Sequence, residues 1–211
     1  MLLAHPRIVI GTDDMYEHIY WGTEPFCSLV TAVPALYDRT VTINGCSKAY
    51  AMTGWRIGYC GGPQEVITAM GTIQGQSTSN AASMSQKAAT VALNSDPDLR
   101  CGNESPVQGP ARLHRAGTQR PPGVSCLPGA GTFYAFADVS GAMGATSCKD
   151  DGVFAEYLLA NAGVAVVPGT GFGAPGHIRL SFACSMATLE DAVGRMRRAL
   201  TGSAVNRVKT A

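Results

Sequence analysis

Lys48 stands in the run Asn44-Gly45-Cys46-Ser47-Lys48-Ala49-Tyr50-Ala51-Met52-Thr53-Gly54-Trp55-Arg56-Ile57-Gly58-Tyr59, with Arg56 eight positions further on. The β-branched lead-in Thr40-Val41-Thr42-Ile43 predicts a buried strand. A lysine at the end of such a strand is costly as a spectator, because desolvation disfavours the ammonium form. It is well suited to forming an imine with a carbonyl. Gly45, Cys46 and Ser47 leave the amine room beside a bulky planar partner. Gly54 and Gly58 flank Trp55-Arg56-Ile57, where the backbone is expected to approach something closely or to turn unusually. An arginine just past a glycine can return to the same pocket and fork onto a phosphate.

The elements that must position these groups are short. Arg7-Ile8-Val9-Ile10-Gly11 reads as an apolar strand, followed by Thr12-Asp13-Asp14-Met15-Tyr16-Glu17-His18. Two acids directly after a strand cap a helix or begin a turn. Residues 21–39 read as a loop with one short helix. Pro63 opens a helix over 64–73, on which Val66, Ile67, Met70 and Ile73 fall at helical spacing. After a polar break at 74–80 a second helix runs through 82–93. Further on, residues 131–139 alternate as a strand, and 151–162 form a helix ending near Gly163. Val164-Ala165-Val166-Val167 reads as a buried strand, and the last helix, with Thr188 and Asp191 as its capping box, runs to about Leu200.

Composition sets the outer bounds. The 211 residues are 45% apolar and 15% charged, as in a globular chain with a sizeable core. A net charge of +1 gives no electrostatic case for nucleic acid or an anionic membrane. No apolar run approaches the roughly 18–20 residues of a membrane helix, and the first residues do not read as a signal peptide. The seven cysteines are scattered and never spaced C-x-x-C, so they read as reduced thiols of a cytoplasmic protein. The histidines have no ligand-like spacing, and no metal is expected.

The segment around Lys48 resembles the lysine motif of class I and II aminotransferases, which depend on pyridoxal phosphate. Gly45, Cys46, Ser47, Lys48, Met52, Arg56 and Gly58 sit at motif positions, and Ala51-Met52-Thr53-Gly54-Trp55-Arg56 is typical of bacterial aspartate-aminotransferase-like members. The resemblance extends to an Asp-x-x-Tyr element at Asp13 and Tyr16, and to Gly131-Thr132-Phe133-Tyr134-Ala135-Phe136. It includes Pro168-Gly169-Thr170-Gly171-Phe172-Gly173 and Arg179-Leu180-Ser181-Phe182-Ala183 as well. It implies that Lys48 is the catalytic lysine and holds the cofactor as an imine. Asp13 would pair with the ring nitrogen, Tyr16 with the phenolic oxygen and Arg56 with the phosphate. Arg179 would clamp the substrate α-carboxylate. Where most of the wider family has serine three residues before the lysine, this chain has Gly45, which offers phosphate only its backbone N–H.

The implied fold class is α/β, fold type I. Residues 1–95 would be the C-terminal part of the cofactor-binding large domain, with a mixed sheet and flanking helices. Residues 123–211 would be a small α+β C-terminal domain. Between them 96–122 reads as an irregular linker or a stretch out of frame, because Pro106, Pro110, Pro121, Pro122 and three glycines rule out a continuous helix. The resemblance begins near the family's middle, so its earlier Gly-rich turn, ring-stacking aromatic and Asn-Pro-Thr-Gly element are not found. The implied activity is amino-group transfer between an aspartate-like L-amino acid and a 2-oxo acid, in a homodimer. Two alternatives stand beside it: an incomplete fragment that at most binds the cofactor, and a β-lyase or decarboxylase of the same fold. Met52-Thr53-Gly54-Trp55-Arg56 and Arg179 favour transamination.

Overall fold

The computed structural model describes residues 1–96 and 121–202. The chain divides into two compact units, Met1–Pro106 and Val107–Ala211. The expected linker, 96–122, falls largely outside the described residues.

The first unit is built on a three-stranded mixed sheet. Strand β1 (Ile10–Asp13) runs parallel to β2 (Thr40–Gly45), with Ile10 opposite Thr40 and Asp13 opposite Ile43. Strand β3 (Gly58–Gly61) pairs antiparallel to β2 on its other side, its last rung being Gly45–Gly58. β1 begins three residues later than the apolar run at Arg7 suggests. The Arg39 guanidinium explains the delay: it takes the carbonyls of Leu2, His5 and Ile8 at 2.8, 2.9 and 2.9 Å, holding that segment off the sheet. Between β1 and β2 lie α1 (Leu29–Ala32), capped by Ser28, and a 3-10 turn over Pro34–Arg39. β2 is the inner strand, and burial on both of its faces is confined to its ends: Thr40, Val41, Asn44 and Gly45 are buried while Ile43 is exposed.

After β2 comes a single helical turn, α2 (Cys46–Ala49), so Lys48 sits on helix rather than at the strand end. α3 (Gln64–Ser77) starts after Pro63 as the spacing predicts. It runs on through Gln74-Gly75-Gln76-Ser77, because nothing in that polar stretch breaks a helix as proline would. Its apolar side chains are half-buried at Val66 and Ile67 and uncovered at Met70 and Ile73, Ile73 being 69% exposed. α4 (Ser83–Leu93) contributes the buried Ser85 and Ala89 and packs on α2.

The second unit is an antiparallel sheet of order β4-β5-β7-β6, in which β4 is Ser125–Cys126, β5 Tyr134–Asp138, β6 Val167–Pro168 and β7 His177–Ser181. Helices α5 (Ser140–Thr146), α6 (Asp151–Ala162) and α7 (Met186–Leu200) accompany it. One contiguous core joins Ala137 and Val139 to Ala142, Phe154, Leu158, Ala162, Ile178 and Met196. α6 has the predicted bounds. The Asp150 carboxylate accepts the Val153 N–H at 2.8 Å at its start, and Gly163 turns left-handed at φ +60° at its end. Two expectations fail here. The strand through Val164–Val167 shrinks to Val167–Pro168, a two-residue outer strand with Val167 exposed. Proline has no N–H to extend a ladder, so it suits such an edge. The cap of α7 is Ser185, whose Oγ accepts the Thr188 N–H at 3.2 Å, while Asp191 pairs with Arg195 at 3.0 Å.

Candidate functional site

Lys48 and Arg56 lie on one connection, residues 46–57, closed at its base by the Gly45–Gly58 rung. That rung is tight. A Cβ on Gly45 would stand 3.0 Å from Gly58 Cα and 3.2 Å from Met15 Cε, and one on Gly58 would stand 3.1 Å from the Asn44 carbonyl. The close approach expected at Gly58 is therefore present. Gly54 has open space about it, and the unusual turn falls instead on Arg56, at φ +51°. A non-glycine residue in that region stores strain of about 1–2 kcal/mol, which neighbouring contacts must offset. Ser85 on α4 supplies one of them, its Oγ donating to the Trp55 carbonyl at 2.7 Å.

Of the three small residues before the lysine, Gly45 and Cys46 are buried and Ser47 is half-buried. Burial raises the Cys46 thiol above its ordinary pKa and keeps it an inert packing group. Nor does the Gly45 N–H face a phosphate, since it donates to Asn44 Oδ1 at 2.7 Å.

Asp13 and Tyr16 reach the same end of the sheet from β1. Parallel strands bring their carboxyl ends together, and ligands of α/β sheets gather there. Asp13 is the last residue of β1 and is exposed, with Oδ1 accepting the Met15 N–H at 3.1 Å, which starts the turn over Met15–His18. The Lys48 Nζ lies 5.6 Å from the centroid of the Tyr16 ring. These two expected site residues are thus brought together. Arg56 is exposed, and its guanidinium donates to the Thr53 carbonyl at 3.0 Å.

The second unit presents Arg179 on β7, opposite Phe136 of β5 and Val167 of β6. Its guanidinium carbon is 4.5 Å from the Tyr134 ring centroid and 4.7 Å from that of Phe172. Two aromatic faces so disposed hold the cation by its planes. Phe136 extends the cluster, stacking on His177 at 5.2 Å and meeting Phe172 edge-on at 6.0 Å.

Spacing did not reveal several partners. Asp14, one of the two acids expected to cap a helix or begin a turn, is buried. It accepts the Thr12 hydroxyl at 2.9 Å, and its N–H reaches the Ile43 carbonyl at 2.9 Å. His18 is half-buried with Nε2 3.1 Å from Glu17. Glu17 and Asn44 meet although 27 residues apart. Among the described residues, Cys27, Cys46, Cys60, Cys126 and Cys148 are free thiols. No cluster of three or more His, Cys, Asp or Glu could hold a metal there, and no helix is long and apolar enough to cross a membrane.

A family model described as aminotransferase class I and II matches residues 2–196. The chain is 45% identical over 207 residues to the aspartate/prephenate aminotransferase of Nitrosomonas europaea, covering 95% of this chain and 52% of that protein. It is 42% identical over 204 residues to the aspartate aminotransferase of Rhizobium meliloti, covering 94% and 50% respectively. The crystal structure of the Rhizobium meliloti aspartate aminotransferase matches with a TM-score of 0.86 at 42% identity, over 95% of this chain and 51% of that one. The chain spans about half the length of the curated relatives it matches. Its fold is that of the fold-type-I aminotransferases, seen over that half. The chain belongs to the class I and II aminotransferase family.

Proposed function

We propose that this chain carries the lysine and substrate-clamping parts of a pyridoxal-phosphate-dependent aminotransferase. The activity is transfer of an amino group between an aspartate-like L-amino acid and a 2-oxo acid. Residues 1–95 act as the C-terminal part of the large domain and 123–211 as the small domain. The observation that carries this reading is the Lys48 amine standing 5.6 Å from the Tyr16 ring, at the carboxyl end of two parallel strands. The donor set fits the cofactor: an amine for its aldehyde, a carboxylate for its ring nitrogen, a phenol for its phenolic oxygen and a guanidinium for its phosphate. With the Gly45 N–H already engaged, Arg56 alone is assigned to the phosphate.

When bound, pyridoxal phosphate supplies an aldehyde that condenses with amines and a ring that accepts the electron pair left by a departing Cα proton. The protein's own groups do the rest. Lys48 Nζ takes the proton from the substrate Cα and holds it for return, acting as base and then acid. Asp13 keeps a proton on the ring nitrogen, and Tyr16 donates a hydrogen bond to the phenolic oxygen. Arg56 anchors the phosphate by a fork of N–H donors. Arg179, its guanidinium held over the Tyr134 and Phe172 rings, turns its N–H edge to the α-carboxylate. Fixing amine and substrate carbon in one geometry supplies much of the rate. A homodimer in the cytoplasm is the setting that goes with this reading.

A second reading is a fragment that binds cofactor without turnover, favoured by the uncovered apolar side chains of the first unit, such as Ile73, Met84 and Val91. One assay separates the two. Aspartate and a 2-oxo acid are supplied to the cofactor-loaded chain, and the new amino acid is quantified beside Lys48→Ala. Product from the wild type alone supports transamination. Binding without product supports the fragment.

A further inference from the structure

The turn that carries Tyr16 and the strand that leads to Lys48 are tied by a side-chain bond that the chemistry above does not use. Asn44, the penultimate residue of β2, is 9% exposed. Its Oδ1 accepts the Gly45 N–H at 2.7 Å, and its Nδ2 donates to Glu17 Oε1 at 2.8 Å. The two partners settle the amide's orientation, since a backbone N–H only donates and a carboxylate only accepts.

Backbone bonds carry the two residues to each other. The Asp14 N–H donates to the Ile43 carbonyl at 2.9 Å, prolonging the β1–β2 pairing past Asp13. The Glu17 N–H then returns to the Asp14 carbonyl at 3.0 Å, which sets Glu17 over the exit of β2. Met15, in the same turn, lies close enough to Gly45 that a Cβ there would meet its Cε at 3.2 Å. His18 Nε2 lies 3.1 Å from the same Glu17 Oε1. Tyr16 is next to Glu17, and Lys48 follows Asn44 by four residues, on α2.

We propose that Asn44 and Glu17 form a positioning latch that sets the Tyr16 ring against the Lys48 amine. Both residues act through that pair. The latch takes its catalytic meaning from the proposed function, but its existence can be read without cofactor.

The test uses the cofactor-free chain with its lysines dimethylated by ¹³C-formaldehyde, which keeps their charge. The Tyr16 ring current displaces the Lys48 methyl resonance, and Tyr16→Leu and Lys48→Ala assign it. Asn44→Asp faces carboxylate with carboxylate, and the displacement is expected to collapse. Glu17→Gln keeps an acceptor for Nδ2, and the displacement is expected to persist. The pair Asn44→Asp with Glu17→Gln exchanges donor and acceptor across the same gap, and the displacement is expected to return. Glu17→Ala removes the partner from a surface turn, and circular dichroism verifies its fold; the displacement is expected to be lost. In parallel, pyridoxal-phosphate affinity is expected to fall about tenfold in Asn44→Asp, the worth of one charge-assisted hydrogen bond, and to recover in the pair. An unchanged displacement in folded Glu17→Ala, or no recovery in the pair, would overturn the latch. If the displacement follows this pattern while no variant binds cofactor, the latch stands and the proposed function falls.

Discussion

The two units share a chain and differ in how they are held. The second gathers Phe154, Leu158, Ile178 and Met196 into one closed core, and its helix ends are tied by Asp150, Gly163 and Arg195. The first, which carries Lys48, buries a smaller set including Leu36, Val41, Cys46 and Ala89, and leaves Ile43, Ile73 and Met84 exposed. What organises it is polar: Arg39 on three carbonyls, Asp14 on β2, Asn44 on Glu17 and Ser85 on Trp55. The comparison teaches that the two units are held by different means. Hydrogen bonds tie the turns and strand ends of the first unit, and a hydrophobic core holds the second.

The largest effect should come from cutting that core. Phe154→Ala is expected to cost about 3–5 kcal/mol in urea unfolding followed by circular dichroism, since it deletes a fully buried ring. Ile73→Ser in the first unit is expected to stay within about 0.5 kcal/mol, because its side chain already meets water. Equal losses would erase the contrast.

Next comes a buried carboxylate of the second unit. Asp151 is 2% exposed, and burial alone would raise its pKa. The Thr170 hydroxyl and N–H, each donating at 2.6 Å, more than offset that and hold it below the usual aspartate value. A depressed folded-state pKa gives stability that is present above the unfolded value, about 3.9, and is lost as pH falls through the folded one. Thr170→Val removes the hydroxyl donor and is expected to cost about 2 kcal/mol at neutral pH, with the loss shrinking in acid. A pH-independent loss would show that the hydrogen bond does not act through the carboxylate's ionisation.

A smaller effect splits stability from binding in the first unit. Arg56→Gly should relieve the positive φ and stabilise the fold by about 1 kcal/mol, while removing the proposed phosphate anchor and weakening cofactor binding about tenfold. Gly54→Ala, in open space at ordinary φ, should change both by little, within about 1 kcal/mol for stability. Thermal midpoints and cofactor titrations of the two variants measure this. A destabilised Arg56→Gly would mean that contacts of the arginine outweigh its strain.

Local signals were legible in the sequence and paired ones were not. The bounds of α6 follow from a cap, an apolar stripe and a glycine that all lie within it. Lys48, Arg56 and Arg179 were singled out by motif resemblance, and their roles are proposals. The apolar run Val164–Val167 had no means of showing that only Val167 of it would find a partner in β7, nor that Ser185 would cap α7 ahead of Thr188. Arg39 reaches back 37 residues to Leu2, and Asn44 reaches 27 to Glu17. Such links depend on register between strands, which periodicity does not encode.

The most direct test of the site is to incubate the chain with pyridoxal phosphate, reduce with borohydride and map the added mass by peptide mass spectrometry. Addition confined to the peptide that contains Lys48, and lost in Lys48→Ala, is the expected result. Addition spread equally over Lys48, Lys87 and Lys149, or unchanged in Lys48→Ala, would contradict the assignment of the chemistry to the turn after β2.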